Sequence, residues 1–325
     1  MAHPNLVHPK EPTLRFPLVK DELNPPEVMM KSLFEEYISG MQSFDPIKNI
    51  LYRKYEDHYR TDSISCHFTE ELRVQCKTSR YPTLVQIWKA MDPAKISSFK
   101  TADDLRSYML YQMGAKECNF FNPALCMRLY LGYNRTRGPI KVLDPSAGWG
   151  DRMITAIACG DLVAEYHGYD PNADLKEAYQ EIIDRLDTYK KCKYYIQPFQ
   201  DAHIKPGYFD LAMTSPPYFN LEVYSEDSDQ SYNANTRDYD SWKDQFYIPY
   251  LKNMVQGVKV GGRVILYVSN YKDIDGKFIP LADDTKRLAS KMNTKLIVEG
   301  EYRTHRMDEP KKGLGRPYYV FEVLG

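Results

Sequence analysis

From Lys141 onward the chain alternates short apolar runs with amphipathic stretches, and no other feature of its 325 residues restricts the fold as strongly. Runs at 140–144, 165–170, 193–198, 208–215, 263–269, 295–302 and 317–324 read as strands, with helices at 150–159, 173–189, 240–257 and 281–292 filling most of the gaps. Strands joined through helices return in the same direction, because a parallel pair needs a crossover and the helix supplies it. Only Thr304 to Arg316 separates the last two runs. That is too short for a usual crossover helix, so an antiparallel hairpin at one edge is expected. The fold class expected is α/β, a Rossmann-like seven-stranded mixed sheet. Ligands of such open sheets sit outside the carboxyl ends of the strands, where the strand order reverses.

Ahead of Lys141 the pattern is different. Residues 1 to about 24 carry Pro4, Pro9, Pro12 and Pro17 and read as an extended arm. Beyond Pro25-Pro26, Met29, Leu33, Tyr37 and Met41 recur every four residues, followed by Ile47, Ile50, Leu51 and Tyr55, then Leu84, Ile87, Trp88 and Met91. These stripes predict helices whose apolar face is core. A further helix opens at Thr101, with Asp104 three residues on as an approximate capping box, and runs to Gly114. The expected division is an arm and mostly helical region over 1–115 and an α/β domain over 116–325.

Three successive strand ends carry acids. The first is Asp144-Pro145-Ser146-Ala147-Gly148-Trp149-Gly150-Asp151, where glycines at 148 and 150 let a ligand approach the backbone at a strand-to-helix turn. A dinucleotide fingerprint would place a third glycine where Met153 stands. Asp144 and Asp151 flank the turn, and a carboxylate at a helix N-terminus competes with a pyrophosphate for the same positive dipole. The turn therefore suits a cation without phosphates. The second strand ends at Asp170, placed to grip two ribose hydroxyls. The third runs into Phe199-Gln200-Asp201, which could clamp an adenine ring and accept from its exocyclic amine. Each acid taken singly is equally a helix cap. Together, a nucleoside without phosphate plus a cation describes S-adenosylmethionine.

The fourth strand stops at Ser215-Pro216-Pro217-Tyr218. Two adjacent prolines donate no ladder hydrogen bonds and fix φ, leaving the carbonyls of Ser215 and Pro216 as a rigid acceptor pair. Tyr218 then offers a flat face for a planar group. Alone, this tetrapeptide is also consistent with a proline-terminated strand and a packing tyrosine.

Asp144-Pro-Ser-Ala-Gly-Trp-Gly followed some 65 residues later by Ser215-Pro-Pro-Tyr218 resembles the S-adenosylmethionine-dependent amino-methyltransferases of DNA, which methylate cytosine N4 or adenine N6. The resemblance covers residues 118–325 and implies a class I methyltransferase domain with motifs in the family's γ-like order. It implies cofactor binding by Asn119-Phe120-Phe121-Asn122-Pro123, Phe121 in particular, and by Asp144, Pro145, Ser146, Gly148, Gly150, Asp170 and Asp201. Catalysis is implied for Ser215, Pro216, Pro217 and Tyr218. Ser-Pro-Pro-Tyr and the following Phe219-Asn220-Leu221-Glu222-Val223-Tyr224, with Gln230 beyond, are more similar to cytosine-N4 enzymes. The partner implied is DNA, presenting a flipped or single-stranded base, with RNA as an alternative. Adenine N6, a protein glutamine, or a non-catalytic module on the same fold are the other readings. The family's usual target-recognition segment after the last strands has no counterpart here. Recognition then falls to residues 1–115, the 219–240 loop or a partner.

The remaining composition narrows the alternatives. A net charge of −1 means that any nucleic-acid contact must be a local basic patch. Arg303, Arg306, Lys311, Lys312 and Arg316 form one candidate and Lys190, Lys191 and Lys193 another, and solvated loops would explain either equally well. Six cysteines without a Cys-x-x-Cys pair and seven histidines without His-x-x-x-His predict neither a metal site nor a disulfide framework. No apolar run of membrane-spanning length and no leader pattern is found, so an intracellular, soluble protein is expected.

Overall fold

The computed structural model describes residues 3–18, 26–40, 50–54, 64–76, 81–115, 118, 120–136, 138–221, 224, 229–233, 235–273, 275–305 and 315–325. Its N-terminal part contains α1 (Pro26–Gly40), β1 (Ile50–Lys54), α2 (Cys66–Arg73), α3 (Leu84–Ala90), α4 (Pro93–Ile96) and α5 (Ala102–Tyr111). There follow α6 (Pro123–Gly132), β2 (Ile140–Asp144), α7 (Asp151–Ala158), β3 (Val163–Asp170), α8 (Lys176–Leu186), β4 (Cys192–Ile196) and β5 (Phe209–Thr214). Next come α9 (Tyr239–Trp242), a π-helical turn (Lys243–Tyr247), α10 (Ile248–Gly257) and β6 (Val258–Tyr267). A small ribbon of β7 (Tyr271–Lys272) and β8 (Phe278–Ile279) precedes α11 (Leu281–Ala289), β9 (Thr294–His305) and β10 (Gly315–Val323).

The main sheet runs β1-β9-β10-β6-β5-β2-β3-β4. All neighbours are parallel except β10, which is antiparallel to both β9 and β6. Without β1, the other seven strands of the main sheet make the expected Rossmann-like mixed sheet, with the expected β9–β10 hairpin. An eighth strand comes from the N-terminal region, and this corrects the helical reading of Ile50 and Leu51. Here β1 pairs with β9 from Ile50↔Glu301 to Lys54↔His305. Ile-Leu-Tyr-Arg-Lys is too short for its apolar spacing to separate helix from strand, and the unfilled β9 ladder decides. Ile47, Tyr55 and Met41 lie outside the described residues.

Alternate residues of the strands feed two cores. On one face, Ile140, Val142, Tyr166 and Val320 pack with α6, α7 and α8 and with Leu33 and Tyr37 of α1 and Phe68 of α2. On the other, Leu143, Ala212, Leu266 and Phe321 pack with Tyr250, Leu251 and Met254 of α10 and Leu281 and Leu288 of α11. A third cluster joins Leu6 of the arm to Trp88 of α3 and Leu105 and Met109 of α5. Buried Glu70 there binds both Arg73 and Arg106, and Arg106 donates to the Pro17 carbonyl, fastening the arm. Thr101 caps α5 by accepting from the Asp104 N–H at 3.1 Å. Among the described residues, no helix is long and apolar enough to cross a membrane.

Candidate active site

After β2 the chain visits β3 and β4 on one side, then crosses to β5 and β6 on the other, so the strand order reverses between β2 and β5. A cavity of about 400 Å³ opens there, within the range of about 300–1,000 Å³ usual for ligand sites.

One wall is the turn after β2. Gly148 and Gly150 have φ of +55° and +87°, values that side-chain-bearing residues avoid, and they let the chain fold back into α7. Pro145, Ser146 and Gly148 line the cavity, but Gly150 does not. A Cβ on Gly150 would stand 3.0 Å from Ile182 Cδ1 of α8, so the turn packs closely on that helix. Phe121 lines the cavity from the segment before α6, and its N–H donates to Asp151 Oδ2 at 3.1 Å. Asn122 caps α6 by accepting from the Leu125 N–H, which fixes Phe121 beside the turn.

Asp144, expected among the cofactor-binding residues, lies beneath this wall and does not line the cavity. Its carboxylate is fully buried and accepts from Arg152 Nε at 2.8 Å and from the Tyr166 hydroxyl at 2.6 Å. Arg152 also donates to the Ser146 carbonyl and lies over the Phe121 ring. The pair is a buried anchor for the turn.

Asp170, at the end of β3, faces the cavity. Its Oδ2 accepts from the Gly148 N–H at 2.9 Å and Oδ1 from the Asn172 N–H at 3.0 Å. Burial pushes its carboxyl up to about 6, against the lowering effect of those two N–H groups. Beyond β4, Pro198, Phe199 and Gln200 line the cavity; Asp201 is exposed and does not line it, and its Oδ2 accepts from Gln200 Nε2 at 3.2 Å. A 3-10 turn over Phe199–Asp201 carries these residues, with Gln200 as the polar group lining the cavity at this end.

The opposite wall is Ser215, Pro216, Pro217 and Tyr218. The Tyr218 hydroxyl accepts from the Ser269 N–H at 2.8 Å, and its ring meets Tyr271 edge-on with centroids 5.2 Å apart. Loop residues Leu221, Tyr224, Asp229, Gln230 and Ser231 close one side. Among the lining residues, Asp151, Asp170 and Asp229 face two guanidiniums, Arg152 and Arg316, and the first of these is neutralised by Asp144.

The sequence reading missed Phe246 and Tyr250 as cavity residues. Their spacing of four on an amphipathic helix looks the same as core, and most of each ring is core. Of the basic patches, Arg316 lines the cavity, while Lys191 is buried and donates to the Gly160 carbonyl, so it is unsuited to phosphate. Arg306, Lys311 and Lys312 lie outside the described residues, as does Asn119. Among the described residues, no cluster suited to a metal ion occurs.

No family model matches the sequence, and no curated protein matches it. Solved structures with similar folds include a tRNA m1G37 methyltransferase from M. jannaschii, 14% identical with a TM-score of 0.40 over 63% of this chain and 51% of that one. The alignment thus spans about half of the archaeal enzyme. A putative S-adenosylmethionine-dependent methyltransferase from Listeria monocytogenes is 13% identical, TM-score 0.40, over 62% of this chain and all of that one. A 1,6-didemethyltoxoflavin-N1-methyltransferase from Burkholderia thailandensis, solved with S-adenosylhomocysteine, is 14% identical, TM-score 0.40, over 72% and 92% of the two chains.

Proposed function

We propose that the protein is an S-adenosylmethionine-dependent methyltransferase acting on an exocyclic amine of a DNA base, with cytosine N4 preferred. The observation that carries this reading is the shared cavity: the glycine turn and Asp170 form one wall and Ser215 to Tyr218 the other. The residues fit the cofactor. Asp170 offers a carboxylate to ribose hydroxyls, Pro198, Phe199 and Gln200 an apolar slot with one polar end for adenine, and the acid-rich wall suits a sulfonium. The cofactor supplies an electrophilic methyl group whose bond to sulfur breaks as the bond to nitrogen forms.

The chain's own part is positioning. An exocyclic amine is a poor nucleophile because its lone pair is delocalised into the ring. The acceptors of Ser215 and the Pro216 carbonyl hold its two N–H groups and turn the lone pair toward the methyl, while Tyr218, fixed through Ser269 and Tyr271, stacks on the base. No strong base is required, since the amine loses its proton to solvent only after it is methylated. A paired base hides its amine, so the substrate is a flipped or single-stranded nucleotide. Recognition of the target would come from residues 1–115, from the loop over 219–240 or from a partner.

Labelled methyl transfer to single- and double-stranded DNA and to RNA, followed by identification of the modified nucleoside, tests this directly. N4-methylcytosine in DNA is expected, and label found only in RNA, or cofactor binding without transfer to any of these, overturns it. Ser215→Ala combined with Tyr218→Ala is expected to abolish transfer while cofactor binding remains.

A further inference from the structure

One helix ties together three of the segments that line the cavity. On α10, Tyr250 is buried with its hydroxyl 2.8 Å from Ser146 Oγ in the turn after β2, and it donates at 3.2 Å to Thr214 Oγ1, the residue before Ser215. One helical turn on, the Asn253 amide Nδ2 lies 3.0, 3.0 and 3.1 Å from the carbonyls of Phe199, Gln200 and Ala202, the turn after β4. Residues three apart share a helix face, so one surface of α10 grips the turn after β2, the end of β5 and the turn after β4. A π-helical turn over Lys243–Tyr247 leads directly into α10, and such turns cluster at functional sites.

We infer that this face of α10 divides the work of positioning: Asn253 sets the cofactor pocket, and Tyr250 sets the distance between the cofactor turn and the acceptor strand. The two roles follow from what each side chain ties. Asn253 acts on the turn carrying Phe199 and Gln200, which line the cavity on the cofactor side. Three carbonyls converging on one amide would repel one another without its N–H groups. Tyr250 instead links one residue of the cofactor wall to the strand that leads into Ser215. Its loss leaves each wall intact and frees their separation, a coordinate on which transfer depends steeply and cofactor binding does not.

The inference rests on the methyltransferase reading, so the experiment separates the two. Binding of S-adenosylhomocysteine is measured by calorimetry for the wild type, Asn253→Asp and Tyr250→Phe, with hydrogen exchange of 209–218 with and without that ligand. Turnover is followed on a single-stranded cytosine-containing oligonucleotide. Asn253→Asp is expected to weaken binding about tenfold or more and to keep turnover at saturating cofactor. Tyr250→Phe is expected to bind within about twofold of wild type, to lose the ligand-induced protection of 209–218, and to turn over about tenfold or more slower. Thr214→Val should reproduce the Tyr250→Phe phenotype, and Thr214→Ser should restore it. Equal changes in binding for both variants, or wild-type protection in Tyr250→Phe, overturn the inference with the wider reading intact. A wild type that does not bind S-adenosylhomocysteine removes both. A purely structural role would lower the melting temperature of both variants without this split.

Discussion

The carboxyl ends of β2 and β3 lie side by side, and each closes on an aspartate. Asp144 is fully buried against Arg152 and the Tyr166 hydroxyl. Asp170 has two backbone N–H partners, a raised pKa and a face on the cavity. The difference lies in the partner. An acid matched to a guanidinium is satisfied and becomes part of the scaffold, whereas one held only by backbone N–H groups keeps accepting capacity for a ligand. Beyond β4, Asp201 is exposed and accepts instead from the Gln200 side chain at 3.2 Å.

The largest effect should come from Asp144→Asn, which leaves Arg152 buried without a counterion. A loss of about 3–5 kcal/mol in urea unfolding is expected, and stability near wild type would mean that the anchor reading is wrong. Asp170→Ala should instead spare the fold and weaken S-adenosylhomocysteine binding about tenfold or more, the scale of losing hydrogen bonds to a charged group. Burial lifts this carboxyl above its unfolded value, so the ionised form opposes folding at neutral pH. The same shift gives a pH signature. Affinity should hold above the carboxyl's value of about 6 and fall below it as the acceptor is protonated, with the dependence absent from Asp170→Asn. Calorimetry at pH 5 and 7.5 would expose a flat profile. Asp201→Ala should do least, leaving affinity within about twofold, as for most exposed sites.

Much of the frame was legible before any coordinates. Strand periodicity, the short β9–β10 connection and the proline stop after β5 are local signals, and local signals survive folding. The roles of the acids were not, because Asp144 and Asp170 differ only in neighbours brought from elsewhere: Tyr166 across the sheet, Arg152 from α7 and Gly148 from the turn. The close packing of Gly150 was hidden for the same reason, since the Ile182 side chain it meets belongs to another helix. Tyr250 and Asn253 stayed hidden because a hydroxyl or amide on a helix looks like any other until the carbonyls it meets are in place. The strand β1 was lost to a short apolar run that fits two periodicities.

That strand also bears on how the protein can be cut. Because β1 pairs with Glu301 to His305 of β9, and Leu33, Tyr37 and Phe68 pack on one core face, a fragment starting at residue 116 would lengthen the bare edge of β9 and uncover an apolar surface. Such an edge is a template for self-association, so the shortened polypeptide should aggregate even though every residue of the cavity is retained.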